Sequence, residues 1–360
     1  MADNTILGYP DELLKISLSF LGVGHFAFIA CVCSQFKIAY LANVSDEMNT
    51  SGESVTSSIS RAEKYFEDAG NTEQLTWFWL NVARYGRVGV MEWAHRQGYA
   101  RIWNERFHES NFGDQVCMGA AEYGQLTGLQ WLRQNGCTWN TGTSSAAAKG
   151  GHLSVLQWAR ANGCAWDGST CYVAAKGGHL SILQWARENG CHLNSFTCNA
   201  AAEGGHLSVL QWLRANGCNL NSETCNAAAK GGHLSVLQWA RANGCNWSRR
   251  TCSYAAKGGH LSVLKWARGN GCEWGSGTCS YAAGGGHLAV LQWARANGCE
   301  WDSDTCCAAS RGGHLSVLQW AIENGCNWDS RTCSRAAGGG HLAVLQWARA
   351  NGCEWDSLMT

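Results

Sequence analysis

The stretch GGHLSVLQWARANGCAWDGSTCYVAAK, residues 150–176, decides the fold of this chain. Closely similar copies follow one another every 27 residues until the end of the sequence. A fixed period of this size indicates a repeat architecture, in which each unit buries little surface alone and stacked neighbours share one long core. One histidine marks each regular copy, at even spacing: His152, His179, His206, His233, His260, His287, His314 and His341.

Each copy carries the pattern of two short helices and a turn. Residues 152–162 place Leu, Val and Ala side chains on one face of an amphipathic helix, and Gly163 supplies the left-handed residue that ends it. Residues 171–176 predict a shorter helix of small side chains, capped by Ser169 or Thr170. We name the short helix the first helix and the His-led helix the second helix. The chain is predicted to be all-α, without strands.

This unit resembles the ankyrin repeat. Thr170-Cys171, Ala174-Ala175, Gly178-His179-Leu180, Ile182-Leu183 and Gly190-Cys191 look like the T-P-L-H, A-A, G-H, V-V and G-A words of that family. The unit has 27 residues, whereas the family has 33, and most of the missing residues fall where the family builds its projecting β-turn finger. The resemblance therefore implies a helix–turn–helix solenoid without fingers, and it covers about residues 80–357.

The chain is predicted to have four parts. Residues 1–44 form a small N-terminal helical module, and residues 45–60 form a polar linker rich in Ser and Thr. Residues 61–136 hold diverged repeats, as expected of the units that cap a stack, and residues 137–360 hold the regular repeats.

The N-terminal module resembles the beginning of an F-box, whose pattern is L-P-x-E-L-L followed by spaced leucines. Tyr9 stands where that family has its leading Leu. The resemblance implies docking to a Skp-type adaptor, which would make the chain a substrate receptor of a cullin–RING ubiquitin ligase. The alternative interpretation is a helical cap on a structural scaffold subunit of a larger assembly. The adaptor-binding residues implied by the resemblance are Pro10, Leu13, Leu14, Leu18 and Leu21.

Composition and the N-terminal sequence argue against several classes of protein, although a locally basic stripe is compatible with the net charge. The formal net charge is zero, whereas a nucleic-acid binder needs a basic face. The apolar run near the N-terminus is shorter than the roughly 20 residues of a membrane span and is interrupted by Gly22, Gly24 and His25. Asp11 and Glu12 stand where a signal peptide would be basic. We therefore expect a cytoplasmic protein, with a nuclear location also compatible.

Most of the twenty cysteines fall on two ladders that follow the repeat. One ladder runs from Cys164 to Cys353 and the other from Cys171 to Cys333. Equivalent residues of stacked helices lie about 8–10 Å apart, which exceeds the limit of about 7 Å for a disulfide. No C-x-x-C pair offers a metal site. The prediction is free thiols in a reducing compartment, with no metal and no cofactor.

No residue is predicted to be catalytic. His, Cys and Trp recur in every unit, whereas an active site needs one distinctive constellation. The sequence has neither a phosphate-binding loop after a strand nor an H-E-x-x-H motif. The histidines are predicted to fill space and to bond neighbouring backbone groups, and the protein is predicted not to be an enzyme.

Comparison of the units with one another distinguishes constant positions, which we expect to hold the fold together, from variable positions, which we expect to lie on the surface. The second helix hardly changes, whereas the connection and the first helix differ from unit to unit. The ankyrin resemblance implies that this variable side is concave and binds a protein partner, with a charged and aromatic centre near Arg250 and Tyr254. The alternative interpretation is sequence drift on a solvated face. The predicted partner-binding residues are Tyr172, Lys176, Phe196, Asn199, Glu203, Glu223, Arg249, Arg250, Tyr254, Lys257, Tyr281, Asp304, Arg331 and Arg335.

Overall fold

The computed structural model describes residues 59–60, 62–63, 72–99, 112–275 and 277–353. Residues 72–99, 112–275 and 277–353 contain twenty helices in ten consecutive pairs, and no strand occurs among the described residues. The predicted all-α repeat architecture is therefore confirmed. The predicted N-terminal module, with its leucines, lies outside the described residues, as does most of the predicted linker.

Odd-numbered helices are first helices and even-numbered helices are second helices. The first helices are α1 Thr72–Arg84, α3 Phe112–Glu122, α5 Thr141–Gly150, α7 Gly168–Gly177, α9 Ser195–Gly204, α11 Ser222–Gly231, α13 Arg249–Lys257, α15 Thr278–Gly284, α17 Ser303–Arg311 and α19 Ser330–Gly338. The second helices are α2 Val88–Arg96, α4 Leu126–Gln134, α6 Leu153–Ala161, α8 Leu180–Glu188, α10 Leu207–Ala215, α12 Leu234–Ala242, α14 Leu261–Gly269, α16 Leu288–Ala296, α18 Leu315–Glu323 and α20 Leu342–Ala350.

Local sequence explains where the helices begin and end. The second helix α6 ends as predicted, because Gly163 adopts a left-handed φ of 85°. The first helix α7 begins at Gly168, which is earlier than predicted, and its N-cap is Asp167. The predicted caps Ser169 and Thr170 are wrong, because the Asp167 carboxylate already accepts the hydrogen bond from the Ser169 backbone N–H.

The core lies between the two helices of each repeat and between neighbouring first helices. In one repeat, Val155, Leu156 and Ala159 of α6 are fully or almost fully buried. In the next repeat, Cys171 and Ala174 of α7 are fully buried. These small side chains allow first helices to pack closely, as α7 does on α9, whereas the second helices contact one another much less.

The chain divides into two compact units at residues 166 and 167. Within the N-terminal unit, α1 packs on α3 and α3 packs on α5. Within the C-terminal unit, the first helices from α7 to α19 pack in chain order. None of the helices in the described part of the chain is long and apolar enough to cross a membrane.

The repeated histidine joins one repeat to the one before it. Nε2 of His206 lies 3.0 Å from the backbone carbonyl oxygen of Lys176, and Nε2 of His260 lies 3.0 Å from that of Lys230. The imidazole therefore donates a hydrogen bond across the junction between repeats. The structure gives these histidines the framework role that the sequence predicts.

A tryptophan in the loop after most second helices covers the end of the repeat. The guanidinium of Arg241 lies 4.2 Å from the centre of the Trp247 ring and donates a 2.7 Å hydrogen bond to the carbonyl oxygen of Cys245. The ring of Trp266 from the next repeat meets Trp247 edge-on at 5.7 Å. We call this arrangement of Arg and loop Trp over the loop cysteine the Arg–Trp cover.

The cysteines contradict the prediction that every thiol is free, because Cys171 is bonded to Cys191. The prediction considered only distances along one ladder, but the two ladders meet inside each repeat. The first-helix cysteine faces the cysteine that follows the second helix, twenty residues later. The other sixteen cysteines of the described residues are buried and not disulfide-bonded.

Candidate protein-binding face

The predicted partner-binding residues all lie on the first helices or at their starts, on a surface that we call the first-helix face. Position 196 and five equivalent positions of other repeats carry exposed side chains that differ in kind. Phe196 is 68% exposed, the highest value among the exposed large apolar side chains of the described residues. The exposed residues at equivalent positions are Ser169, Glu223, Arg250, Asp304 and Arg331.

Three consecutive first helices are joined by an ion network on this face. The Glu203 carboxylate on α9 lies 3.2 Å from Nζ of Lys176 on α7 and 3.0 Å from Nζ of Lys230 on α11. Burial acts to raise the pKa of Glu203, but the hydrogen bonds from Lys230 and Lys176 outweigh it and leave that pKa lowered. The network fixes three charges in place and carries a net positive charge.

An aromatic and cationic pair follows the network along the stack. Nζ of Lys257 lies 5.7 Å from the ring centre of Tyr281, whose side chain is 45% exposed. Tyr254, on the same helix as Lys257, is half-buried. The structure therefore brings together Lys257 and Tyr281, two of the residues predicted for the centre of the binding face.

Two predicted arginines already hold acidic partners. Nε of Arg249 lies 2.7 Å from the carboxylate of Glu273, and both side chains are largely exposed. Arg331 contacts Asp304 at 3.0 Å and Asp329 at 2.7 Å. Exposed ion pairs of this kind contribute little to stability, so their positions matter mainly for the charge that the face presents.

The remaining predicted residues divide between packing and surface. The Asn199 side chain is half-buried, and its carbonyl oxygen accepts a 2.8 Å hydrogen bond from the Thr224 hydroxyl of the next repeat. Asn199 therefore links neighbouring first helices. Tyr172 is half-buried, whereas Arg335 is exposed.

Three further residues form ion pairs on this face and were not among the predicted binding residues. They are Lys230, Glu273 and Asp329. Lys230 stands in the same position of its repeat as Lys176 and Glu203, so alignment of the repeats contains the signal that would have found it. Glu273 and Asp329 lie in connections, where only the folded chain brings them near their arginines. Among the described residues, no group of three or more His, Cys, Asp or Glu side chains is arranged to hold a metal ion.

The helical pairs and their common caps define an all-α repeat architecture. No protein-family model matches the sequence, and no curated protein matches it. The solved structures that are similar to the chain include the human ASB11 ankyrin repeat domain, at 18% sequence identity and a TM-score of 0.35. That match covers 44% of this chain and 84% of the ASB11 domain. At this level of similarity, the assignment of the fold rests on the helices of the chain itself.

Proposed function

We propose that this chain is a non-enzymatic protein-interaction solenoid that binds a protein partner on its first-helix face. The observation that carries the proposal is the row of exposed side chains that includes Phe196, which differ in kind on a framework that hardly changes. A framework needs only a polar residue at such a position. Phe196 offers a partner a large apolar side chain on this row.

The chemistry of the face suits a partner with both apolar and charged groups. Phe196 and Tyr281 supply aromatic area, and aromatic residues and arginine are enriched among the residues that dominate binding energy. The network around Glu203 holds charges in fixed positions, which favours electrostatic selection of a partner and a defined register.

A matched set of variants tests this proposal. Wild-type protein, the double variant Phe196→Ala with Tyr281→Ala, and a control double variant Gln238→Ala with Gln292→Ala would be used to capture partners from native lysate. The control glutamines are exposed on second helices. The proposal expects a protein that wild type and control retain equally and that the first-helix variant loses by about tenfold or more. Equal retention by all three proteins would contradict it.

The finer proposal is that the chain is a substrate receptor of a cullin–RING ligase, with its N-terminal module on a Skp-type adaptor. Its support is the F-box resemblance of the segment that contains Pro10 and Leu13, together with the proposed division at the polar linker of residues 45–60. A scaffold subunit would instead use the N-terminal helices as a cap.

Removal of residues 1–50 distinguishes receptor from scaffold. If the shortened chain keeps its melting temperature and loses a purified Skp-type adaptor, the receptor proposal is supported. If it aggregates or melts much earlier, and the full chain does not bind the adaptor, the leucines of the module belong to the core. The first-helix face would then be tested separately with the variants described above.

A further inference from the structure

Buried cysteine pairs recur through the stack, each joining a first helix to the loop after the second helix of the same repeat. Cys171 and Cys191 are bonded. The two sulfur atoms lie 3.0 Å apart in the pair Cys225–Cys245, 3.1 Å apart in Cys279–Cys299 and 3.2 Å apart in Cys306–Cys326. Contact between two thiols is the arrangement from which a disulfide forms, and the bonded pair occupies the equivalent position in its own repeat.

The pairs differ in what covers them. In the repeat of Cys245, the Arg–Trp cover leaves the cysteine 1% exposed. Two repeats have leucine in place of the loop tryptophan, at Leu193 and Leu220. The loop cysteines of these two repeats, Cys191 and Cys218, are 8% and 4% exposed.

The arginines show the same difference. Arg241 and its equivalents Arg268 and Arg295 are half-buried on their tryptophans. Arg187 and Arg214, in the two leucine repeats, are exposed. The leucine repeats therefore leave their loop cysteines under a thinner cover of side chains. Within each leucine-repeat pair the loop cysteine is also nearer to solvent, because Cys171 and Cys198 are fully buried.

We propose that the cysteine pairs of the two leucine repeats are redox-active dithiols, oxidised to disulfides by hydrogen peroxide, whereas the Arg–Trp cover protects the equivalent pairs of the repeats that carry it. The two redox-active pairs are Cys171–Cys191 and Cys198–Cys218. The protected pairs are Cys225–Cys245, Cys252–Cys272 and Cys279–Cys299.

The reaction needs no group beyond the two thiols and the peroxide. The Cys218 thiolate attacks one peroxide oxygen, so that an S–O bond forms, the O–O bond breaks and the leaving oxygen departs as water after protonation. The Cys198 sulfur then attacks the Cys218 sulfur, forming the S–S bond, and the S–O bond breaks to release a second water. Two electrons pass from the sulfurs to the peroxide, and the two thiol protons end in the two waters.

The surroundings of Cys218 favour the first step. The hydrogen bond from the Cys198 thiol lowers the pKa of Cys218 to about 7, against the opposing effect of burial, and the positive charge of Arg187 lowers it further. A thiol with this pKa is substantially ionised at neutral pH, and the thiolate is the nucleophile.

The two leucine-repeat pairs are close to the helix α9. The loop that carries Cys191 leads directly into α9, and Cys198 lies on α9 itself, as does Phe196. Both pairs therefore lie near the start of the helix that presents the exposed phenylalanine.

The test measures the oxidation of every cysteine in the folded, full-length chain. The protein would be fully reduced, treated with hydrogen peroxide for increasing times and alkylated, and each pair would be quantified by mass spectrometry. The proposal expects disulfides at Cys171–Cys191 and Cys198–Cys218 to form about tenfold faster than at the protected pairs. Equal rates at all pairs, or sulfinic acids without disulfides, would overturn it.

Exchange of the covering residue provides matched variants. Leu220→Trp is expected to slow oxidation of Cys218 towards the rate of the protected pairs, and Trp247→Leu is expected to accelerate oxidation of Cys245. Circular dichroism and the melting temperature show whether each variant remains folded. If either variant fails to fold, the other carries the test. If both fold and neither rate changes, the cover does not control the chemistry and the proposal is wrong.

Discussion

Nε2 of His233 lies 3.0 Å from the carbonyl oxygen of Glu203, which is 30 residues earlier and belongs to the preceding repeat. The same imidazole covers Gly205, where an added Cβ would overlap Nδ1 of the ring. The ring therefore connects two repeats by a hydrogen bond and by close packing over a residue that has no side chain. This relationship leads to two predictions.

Replacing the imidazole is expected to weaken the junction between repeats. His233→Ala removes the donor to the Glu203 carbonyl and the packing over Gly205, which should lower the free energy of unfolding by about 2 kcal/mol. Chemical denaturation monitored by circular dichroism measures the loss. The control His192→Ala alters an exposed histidine in a connection and should change the stability by less than about 0.5 kcal/mol. Equal effects of the two substitutions would mean that the junction hydrogen bond contributes nothing.

Gly205 and Gly217 share a left-handed backbone conformation but differ in the space around an added Cβ. Substituting each by alanine therefore distinguishes the cost of the backbone conformation from the cost of steric overlap. Gly217 has a φ of 88° and open space around an added Cβ, so Gly217→Ala should cost only the left-handed conformation, about 1–2 kcal/mol. Gly205 has a φ of 79°, and Gly205→Ala must also displace His233. We expect Gly205→Ala to lose at least about 1 kcal/mol more than Gly217→Ala in the same denaturation experiment. Similar losses would indicate that the ring moves aside without cost.

The Glu203 network predicts a pH-dependent contribution to stability. The pKa of Glu203 is lower in the folded protein than the value of about 4.3 for an unfolded chain. Its contribution is therefore complete above the unfolded pKa and is lost as the pH falls through the folded pKa. Because both lysines are half-exposed, Glu203→Gln should cost only about 0.5–1 kcal/mol at pH 7.

The difference between wild type and Glu203→Gln should disappear in acid, once the wild-type carboxyl is protonated. Thermal melts of both proteins at neutral and acidic pH measure this difference in stability. Glu300→Gln, at an exposed carboxylate in a connection, is the control and should behave like wild type throughout. A cost of Glu203→Gln that persisted unchanged in acid would point to a packing role for this side chain.

The reactivity of Cys218 should follow its lowered pKa. In the folded and reduced protein, its rate of alkylation by iodoacetamide should rise with pH through about 7, because only the thiolate reacts. An ordinary cysteine would show this rise near pH 8.5. Cys198→Ala removes the thiol that donates to Cys218 and should move the midpoint upward. A midpoint that stayed in place would show that the Cys198 hydrogen bond is not the cause.

The sequence predicted those features of the fold that depend on nearby residues. Helical periodicity identified both helices of the repeat, and Gly163 was correctly assigned to the helix end because its left-handed conformation is a local property. The cap at Asp167 was missed because Asp, Ser and Thr all serve as N-caps and three such residues stand close together.

Features that depend on the folding of one repeat against itself could not be predicted in the same way. Cys171 and Cys191 meet only because the hairpin of α7 and α8 brings residues twenty apart together. The pairing of Arg249 with Glu273 likewise joins a helix to a connection of the same repeat. In the candidate binding face, the sequence located the variable first helices, but the selection of binding residues among them stays a prediction.

The histidine contact has a consequence for how freely the surface of this chain can change. Each imidazole bonds a backbone carbonyl, and the residues that supply this carbonyl include Lys176, Glu203, Lys257, Gly284 and Arg311. The hydrogen bond uses only the backbone of this residue. It forms equally when the residue is a cation such as Lys176, an anion such as Glu203, or a glycine such as Gly284. The side chain of this residue contributes to the charge of the first-helix face, whereas its backbone carbonyl connects the repeats, so the two roles are independent. The side chain of the residue whose carbonyl accepts this hydrogen bond can therefore be exchanged without altering the junction between repeats.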